Sequence, residues 1–313
     1  MRKQSKIVFM GTPEFAVPAL EALHKNGQHI ALVVTQPDRP KGRGRKVAPT
    51  PVKAAAARLG CDVMQPTSIR TEVFSEHMAQ LNPDMTVVVA YGRIIPKNIL
   101  SLPKLGTINV HASLLPKYRG PAPIHWAIIN REKQTGVTTM LMDEGLDTGN
   151  LLQSLIVEID PEDTAGTLYN RLAERGAEVL IQTIRSFEDG NIKPVPQDHS
   201  KASYAPLLKK NDGRMDWKMP AQHLHAFVRG MTPWPGAFTF HGDRRLKIFK
   251  VEPIPTDGSE APGTIIKGFP DELLVSTGQD ALSIIEIQGA SGKRLLIKDF
   301  LRGSNIHPGT VLS

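Results

Sequence analysis

The chain has 313 residues, 40% hydrophobic and 22% charged. That is enough apolar material for two soluble domains, and it excludes a disordered or fibrous class. A single cysteine, Cys61, excludes a disulfide framework and a cysteine-rich metal site, as expected for a reducing cytoplasm. The net charge is +7, and residues 38–46 alone hold five cations against one acid, which points to a polyanionic partner gripped at one place.

Residues 7–10 read as a buried strand closed by Gly11, Thr12 and Pro13. The run is too short for a secretory signal, and no later segment is long and apolar enough to span a membrane, so a cytoplasmic location without membrane attachment is expected. A helix follows over residues 14–25, with Pro13 suited to its first turn. Residues 30–35 form a second strand, and residues 36–49 a long loop rich in Gly, Pro and cations. The next helix is clearly punctuated: Thr50 as N-cap, Pro51 in the first position, four alanines, and Gly60 just past the end. A short strand at 62–65 and a helix at 71–81 lead to residues 85–90, apolar on both faces as a central parallel strand should be. Residues 106–110 begin another strand. It runs into a loop because Pro116, Gly120, Pro121 and Pro123 interrupt regular structure. Residues 137–142 and 151–157 bracket the turn-rich stretch 143–149. Thr164 caps a long helix with Leu168, Leu172, Val179, Leu180, Ile184 and Phe187 on one side, and Gly190 ends it.

Strands alternating with helices predict an α/β class: a doubly wound, mainly parallel, Rossmann-like sheet in a catalytic domain over residues 1–190. Ligands of such sheets sit outside the carboxyl ends of the strands. Residues 191–205, with Pro194 and Pro196, have linker character. Over residues 206–313 short β-rich runs recur between Gly, Asp and Pro turns, which predicts a small antiparallel barrel, OB-like by the resemblance given below.

Asn109 and His111 stand two apart, so on a strand they project from one face. An amide can donate to charge developing on a carbonyl oxygen, and an imidazole can carry a proton. Asp147, in a turn flanked by Gly145 and Gly149, is the best candidate for the carboxylate that orients the histidine. No Gly-x-Ser-x-Gly motif is present, which favours direct attack by one substrate on another over a covalent enzyme intermediate. A metal is not expected, because His223 and His225 lack partners at ligand spacing. Arg39, Lys41, Arg43, Arg45 and Lys46 form an arm that could neutralise phosphates. Taken together, these residues point to acyl transfer onto an RNA-borne amine. Each has a plainer reading: a lone strand histidine is more often structural, and a basic loop is more often a solvated surface.

The stretches Gly11-Thr-Pro-Glu-Phe15, Thr35-Gln-Pro-Asp-Arg-Pro40, Ala90-Tyr-Gly92, Asn109-Val-His-Ala-Ser-Leu-Leu-Pro116, Arg119-Gly-Pro-Ala-Pro-Ile124, Asp147-Thr-Gly149 and Pro233-Trp-Pro235 resemble the methionyl-tRNA formyltransferase family. This is a branch of the folate-dependent formyltransferases, and the resemblance runs through essentially the whole chain. It implies 10-formyltetrahydrofolate as formyl donor, initiator methionyl-tRNA as acceptor, and no metal. It also implies Asn109, His111 and Asp147 as the catalytic residues, and Ser113, Leu114, Leu115 and Pro116 as the folate site. The arm Arg39, Lys41, Arg43, Arg45 and Lys46 would meet the tRNA together with a C-terminal tRNA-binding domain, and Phe15 would help enclose the methionine. A monomer is expected. Ala112 stands where many relatives carry glycine. Two alternatives remain open: a formyltransferase or deformylase of the same superfamily acting on a nucleotide or sugar, and a non-enzymatic RNA-binding module.

Overall fold

The structure is a computed structural model that describes residues 5–41, 46–289, 292–304 and 306–313. In chain order its elements are β1 (Lys6–Gly11), α1 (Val17–Lys25), β2 (His29–Val34), β3 (Arg39–Lys41), β4 (Lys46–Ala48), α2 (Pro51–Arg58), β5 (Val63–Met64), α3 (Glu72–Leu81), β6 (Met85–Val89), α4 (Lys97–Leu100), β7 (Thr107–His111) and α5 (Pro123–Ile129). They continue with β8 (Gln134–Leu141), β9 (Leu151–Glu158), α6 (Ala165–Glu188), α7 (Ala221–Met231), β10 (Ala237–His241), β11 (Arg244–Ile254), β12 (Ile265–Lys267), β13 (Leu274–Ser276), β14 (Ala281–Gln288), β15 (Leu295–Leu296) and α8 (Ile297–Leu301).

The chain divides into two compact units. One comprises residues 1–123, 134–158 and 169–205; the other comprises 124–133, 159–168 and 206–313. The first is built on a sheet of order β5-β2-β1-β6-β7-β8-β9. Its first five strands run parallel, and β8 and β9 close one edge antiparallel. The chain winds outward from β1 through β2 to β5, then returns to the other side of β1 for β6 and β7. The switch in strand order therefore lies between β1 and β6, where ligands of doubly wound sheets sit. This is the expected Rossmann-like class.

Sheet alternation supplies the core. Val8, Met10, Val34, Phe74, Met78, Tyr91 and Ile99 pack together on one face, while Ile7 and Phe9, fully buried, point to the other. Removing this much apolar surface from water, at about 25 cal/mol per Å², is the main stabilising term. Helix α2 starts as its sequence dictates: the Thr50 hydroxyl accepts from the Lys53 N–H at 3.1 Å, ahead of Pro51. The helix expected over 14–25 begins one turn late. Residues Glu14–Ala16 are a 3-10 turn, and Pro18 lies in the first turn of α1.

Helix α6 covers the back of β7. A Cβ added at Gly176 would lie 3.1 Å from Val110 Cγ1, and the Thr139 and Thr183 hydroxyls meet at 2.7 Å. Val110 therefore faces the helix, and its neighbours Asn109 and His111 face the opposite side.

In the second unit, β10-β11-β14-β13-β12 form an antiparallel sheet that curls into a half-barrel, with β15 pairing β14. Along β11, buried Leu246, Ile248 and Val251 alternate with exposed Arg244, Lys247 and Lys250. Helix α7 went unread in the sequence, although Ala221, Leu224, Ala226, Val228 and Met231 are buried along it. Among the described residues, no helix is long and apolar enough to cross a membrane.

Candidate active site

Parallel pairing brings the carboxyl ends of β1, β6 and β7 to one edge, with Gly11 beside Val89 and Asn109 beside Val88. The loops that follow β1, β2 and β6 are tied together. The Tyr91 carbonyl accepts from the Thr12 hydroxyl at 3.0 Å and from Gln36 Nε2 at 2.8 Å. Gly11 is required for this close approach, since a Cβ there would lie 3.0 Å from the Val89 carbonyl oxygen.

Asn109 and His111 project where β7 runs out, and Asp147 comes to meet them from the β8–β9 turn. His111 Nδ1 lies 3.7 Å from Asp147 Oδ2, and Asn109 Nδ2 lies 3.5 Å from Asp147 Oδ1. The Gly120 N–H donates to Asp147 Oδ2 at 2.8 Å. His111 Nε2 is 2.9 Å from the Tyr118 carbonyl. A carbonyl only accepts, so the Nε2 proton is fixed there, and Nδ1, on the Asp147 side, is the nitrogen free to take or give a proton. His111 is 6% exposed. A charge formed on it has little water to lean on, so the adjacent carboxylate matters. The long 3.5–3.7 Å approaches leave room for a substrate atom or a water between the groups.

Asp147 is held at φ +54°, a left-handed conformation that non-glycine residues adopt at a cost. Its turn is braced by Asp143 Oδ1, which accepts from the Gly145 N–H at 3.0 Å and the Thr148 hydroxyl at 2.6 Å. Gly149 presses on the end of β8, where an added Cβ would meet the Leu141 carbonyl oxygen at 1.7 Å.

The four residues Ser113, Leu114, Leu115 and Pro116 do not share one environment. Ser113 is fully buried, and its hydroxyl donates to the Lys117 carbonyl at 2.6 Å, while its own carbonyl accepts from Thr138 Oγ1 at 2.7 Å. Leu115 is buried, and its N–H donates to Thr138 Oγ1 at 3.3 Å. Leu114 and Pro116 keep partial exposure. Phe15 is buried too: its N–H donates to the Tyr169 hydroxyl at 2.7 Å, and the two rings meet edge to face at 5.1 Å. Burial raises the Tyr169 phenol above its usual range.

Of the basic arm, Arg43 and Arg45 lie outside the described residues. Strands β3 and β4 bring the backbones of Lys41 and Lys46 together as an antiparallel pair. Arg39 is exposed, its guanidinium donating to Gln36 Oε1 at 3.1 Å. The base of the arm is pinned by Asp38, which receives Lys53 Nζ and Gln65 Nε2, each at 2.6 Å. Those two donors hold the Asp38 carboxyl below its usual range, Lys53 foremost.

The sequence gives no role to Tyr118, Thr138, Tyr169 or Gln197, and it brings in Arg119 and Gly120 only as part of the stretch 119–124 that carries the resemblance. Thr138 lies on β8 and Tyr169 on α6, where nothing local marks them, and Tyr118 and Gln197 lie in loops beside proline or glycine. Among the described residues, no group of three or more His, Cys, Asp or Glu is arranged to hold a metal ion.

Residues 5–184 match the formyl transferase family model, and residues 207–305 match that of the formyl transferase C-terminal domain. The methionyl-tRNA formyltransferase of Caldanaerobacter subterraneus subsp. tengcongensis is 49% identical over 308 residues, 98% of this chain and 99% of the relative. That of Alkaliphilus oremlandii is 50% identical over 307 residues, again 98% and 99%. Among solved structures, the N-formyltransferase of Helicobacter canadensis, in complex with folinic acid and dTDP-3-aminofucose, superposes with a TM-score of 0.68 at 21% identity. The match spans 90% of this chain and 99% of that one, a likeness of fold.

Proposed function

The chain belongs to the methionyl-tRNA formyltransferase family, and from that premise we propose that it transfers a formyl group from 10-formyltetrahydrofolate to the α-amino group of methionine on initiator tRNA. The observation that supports this most is the convergence of Asn109, His111 and Asp147 at the end of β7, with only Asn109 of that strand left half-exposed.

In this reading 10-formyltetrahydrofolate supplies an activated formyl group and leaves as tetrahydrofolate. The partly exposed Leu114 and Pro116, backed by the buried Ser113 and Leu115, form an apolar wall suited to a pterin ring system. Asn109 Nδ2 donates to the formyl oxygen as negative charge grows on it during attack by the methionyl amine. A C–N bond forms to the methionine nitrogen, and the bond from the formyl carbon to the folate nitrogen breaks. His111, working through Nδ1 and directly or through a water, takes the proton released by the amine and returns it to the departing nitrogen. Asp147 stabilises the imidazolium in between. Phe15, braced by Tyr169, forms the back of the methionine pocket.

The division of labour follows the charge. Residues 1–190 carry the chemistry, the stretch 191–205 packs into the same unit, and the OB-like region 206–313 is the larger tRNA-binding surface. The arm Arg39, Lys41, Arg43, Arg45 and Lys46 acts near the aminoacylated end. On β11 the exposed cations Arg244, Lys247 and Lys250 stand beside Arg245, whose guanidinium covers the Phe238 ring at 3.5 Å. Such a face suits phosphates and unstacked bases. The test is an assay in which the purified chain is offered methionyl-tRNA and nucleotide-linked amino sugars side by side. Formyl-methionine on RNA is expected; turnover of the sugars alone would overturn the assignment.

A further inference from the structure

Asp147 has two ends to hold, a carboxylate that serves the histidine and a backbone kept at positive φ. The carboxylate is held by the Gly120 N–H. The backbone is held by a residue from the stretch that the sequence marks as linker. Gln197 is 6% exposed, and its one amide nitrogen donates twice, to the Asp147 carbonyl at 2.9 Å and to the Gly149 carbonyl at 2.7 Å. Its amide oxygen is filled by Arg119, from Nη2 at 2.6 Å and Nε at 3.2 Å. Arg119 is 2% exposed and reaches on to His199 Nδ1 at 3.2–3.3 Å. Its backbone is laced to the same linker, with its N–H to the Ser203 carbonyl at 2.8 Å and its carbonyl receiving the Ala205 N–H at 2.7 Å.

We infer that Gln197 is a positioning residue for the transfer reaction: oriented by Arg119, it clamps the 147–149 turn and so sets where the Asp147 carboxylate stands beside His111. The neighbours Arg119 and Gly120 then grip Asp147 from both ends, one through Gln197 and one directly. Every polar position of the Gln197 side chain is used, and both of its donors go to the turn that carries the carboxylate. A glutamine kept only to satisfy Arg119 would have no need of the second half of that arrangement. Segment 197–205 is on this view part of the catalytic scaffold. The inference rests on the formyl-transfer reading, with Asp147 acting on His111.

The discriminating substitution is Gln197→Glu, made in the full chain. A glutamate keeps the oxygen that Arg119 grips and adds a charge pairing with it, which favours retention of the fold. It removes both donors to the turn and places acceptors against two carbonyls. Two readouts are taken, hydrogen exchange over residues 143–150 and steady-state kinetics with methionyl-tRNA. The clamp predicts faster exchange in that turn, with the β1–β6–β7 core unchanged. It also predicts a 10- to 100-fold lower kcat with KM for both substrates within about threefold. Unchanged exchange overturns the clamp. Faster exchange with an unchanged kcat, or a loss confined to KM, overturns the positioning role. If Gln197→Glu melts early, Gln197→Met, which fills the same space without polar atoms, is read by the same two measurements. The exchange result does not depend on the substrate, so inactivity of the unmodified protein on methionyl-tRNA would strike the functional reading and leave the clamp separately testable.

Discussion

Replacing Asp147 by Asn removes one negative charge and little else. The new side chain keeps an oxygen that can accept from the Gly120 N–H, now 2.8 Å from Oδ2, so the turn should hold its shape. What disappears is the attraction between the carboxylate and a proton on His111 Nδ1, 3.7 Å away, with the two side chains 7% and 13% exposed. At an effective dielectric of about 20, unit charges at that separation attract by about 4.5 kcal/mol, and solvent at the mouth of the site brings this to about 2–4 kcal/mol. With tenfold in rate for each ~1.4 kcal/mol, kcat should fall about 30- to 1000-fold if the imidazolium forms on the way to the transition state. Single-turnover formylation with saturating donor and methionyl-tRNA measures this, and thermal melting checks the fold, with Tm expected within about 3 °C of the parent. A variant with kcat within fivefold of the parent and an unchanged Tm would refute the idea that Asp147 acts electrostatically on His111.

The remaining predictions separate the two binding partners and address the second unit. Asn109→Ala should reduce turnover at least a hundredfold with tRNA still retained in a filter-binding assay. Arg43→Ala should weaken productive tRNA use, flatten its salt dependence by about one phosphate contact, and leave folate binding intact. If both variants lost the same function, the proposed separation of sites would be wrong. In the second unit, burial lowers the pKa of His125, and burial, then Arg229, lowers that of His225. For each, the folded state binds a proton less readily than the unfolded chain, whose histidines titrate near pH 6.5. Stability from these two sites is therefore fully present above about pH 6.5 and is lost as pH falls through that value towards the lower folded pKa values. Melting of the C-terminal transition should drop between pH 7 and 5.5, and His125→Gln should flatten that drop. A melting temperature independent of pH over this range would contradict it.

The fold was legible where sequence pattern and physical constraint coincide. Residues 85–89, apolar apart from Thr86, read as a doubly buried strand, and Thr50-Pro51 as a helix start. The site was legible through the spacing of Asn109 and His111, because strand geometry turns a separation of two into a shared face. Asp147 was reachable because glycines on both sides of an acid mark a turn that can carry it somewhere useful. The rest depended on tertiary contacts with no local signature. Arg119 and Gln197 are 78 residues apart, yet bonded. Gln197 sits among prolines and looks like linker. The Ser113 hydroxyl is committed to the Lys117 carbonyl, a contact that no local pattern marks. Helix α7 was missed because His223 and His225 interrupt its apolar pattern, and because the strands around it dominate the composition there.

The identity of the nucleophile can be read from where a labelled formyl group ends up. The purified chain is incubated with 10-formyltetrahydrofolate carrying a labelled formyl group and with initiator methionyl-tRNA. Elongator methionyl-tRNA, uncharged tRNA and a nucleotide-linked amino sugar are run in parallel. Label is expected on the methionine α-amino group of the initiator, and none on uncharged tRNA or the sugar. Label on the sugar with none on methionyl-tRNA, from a protein folded by melting analysis, would contradict the proposed function.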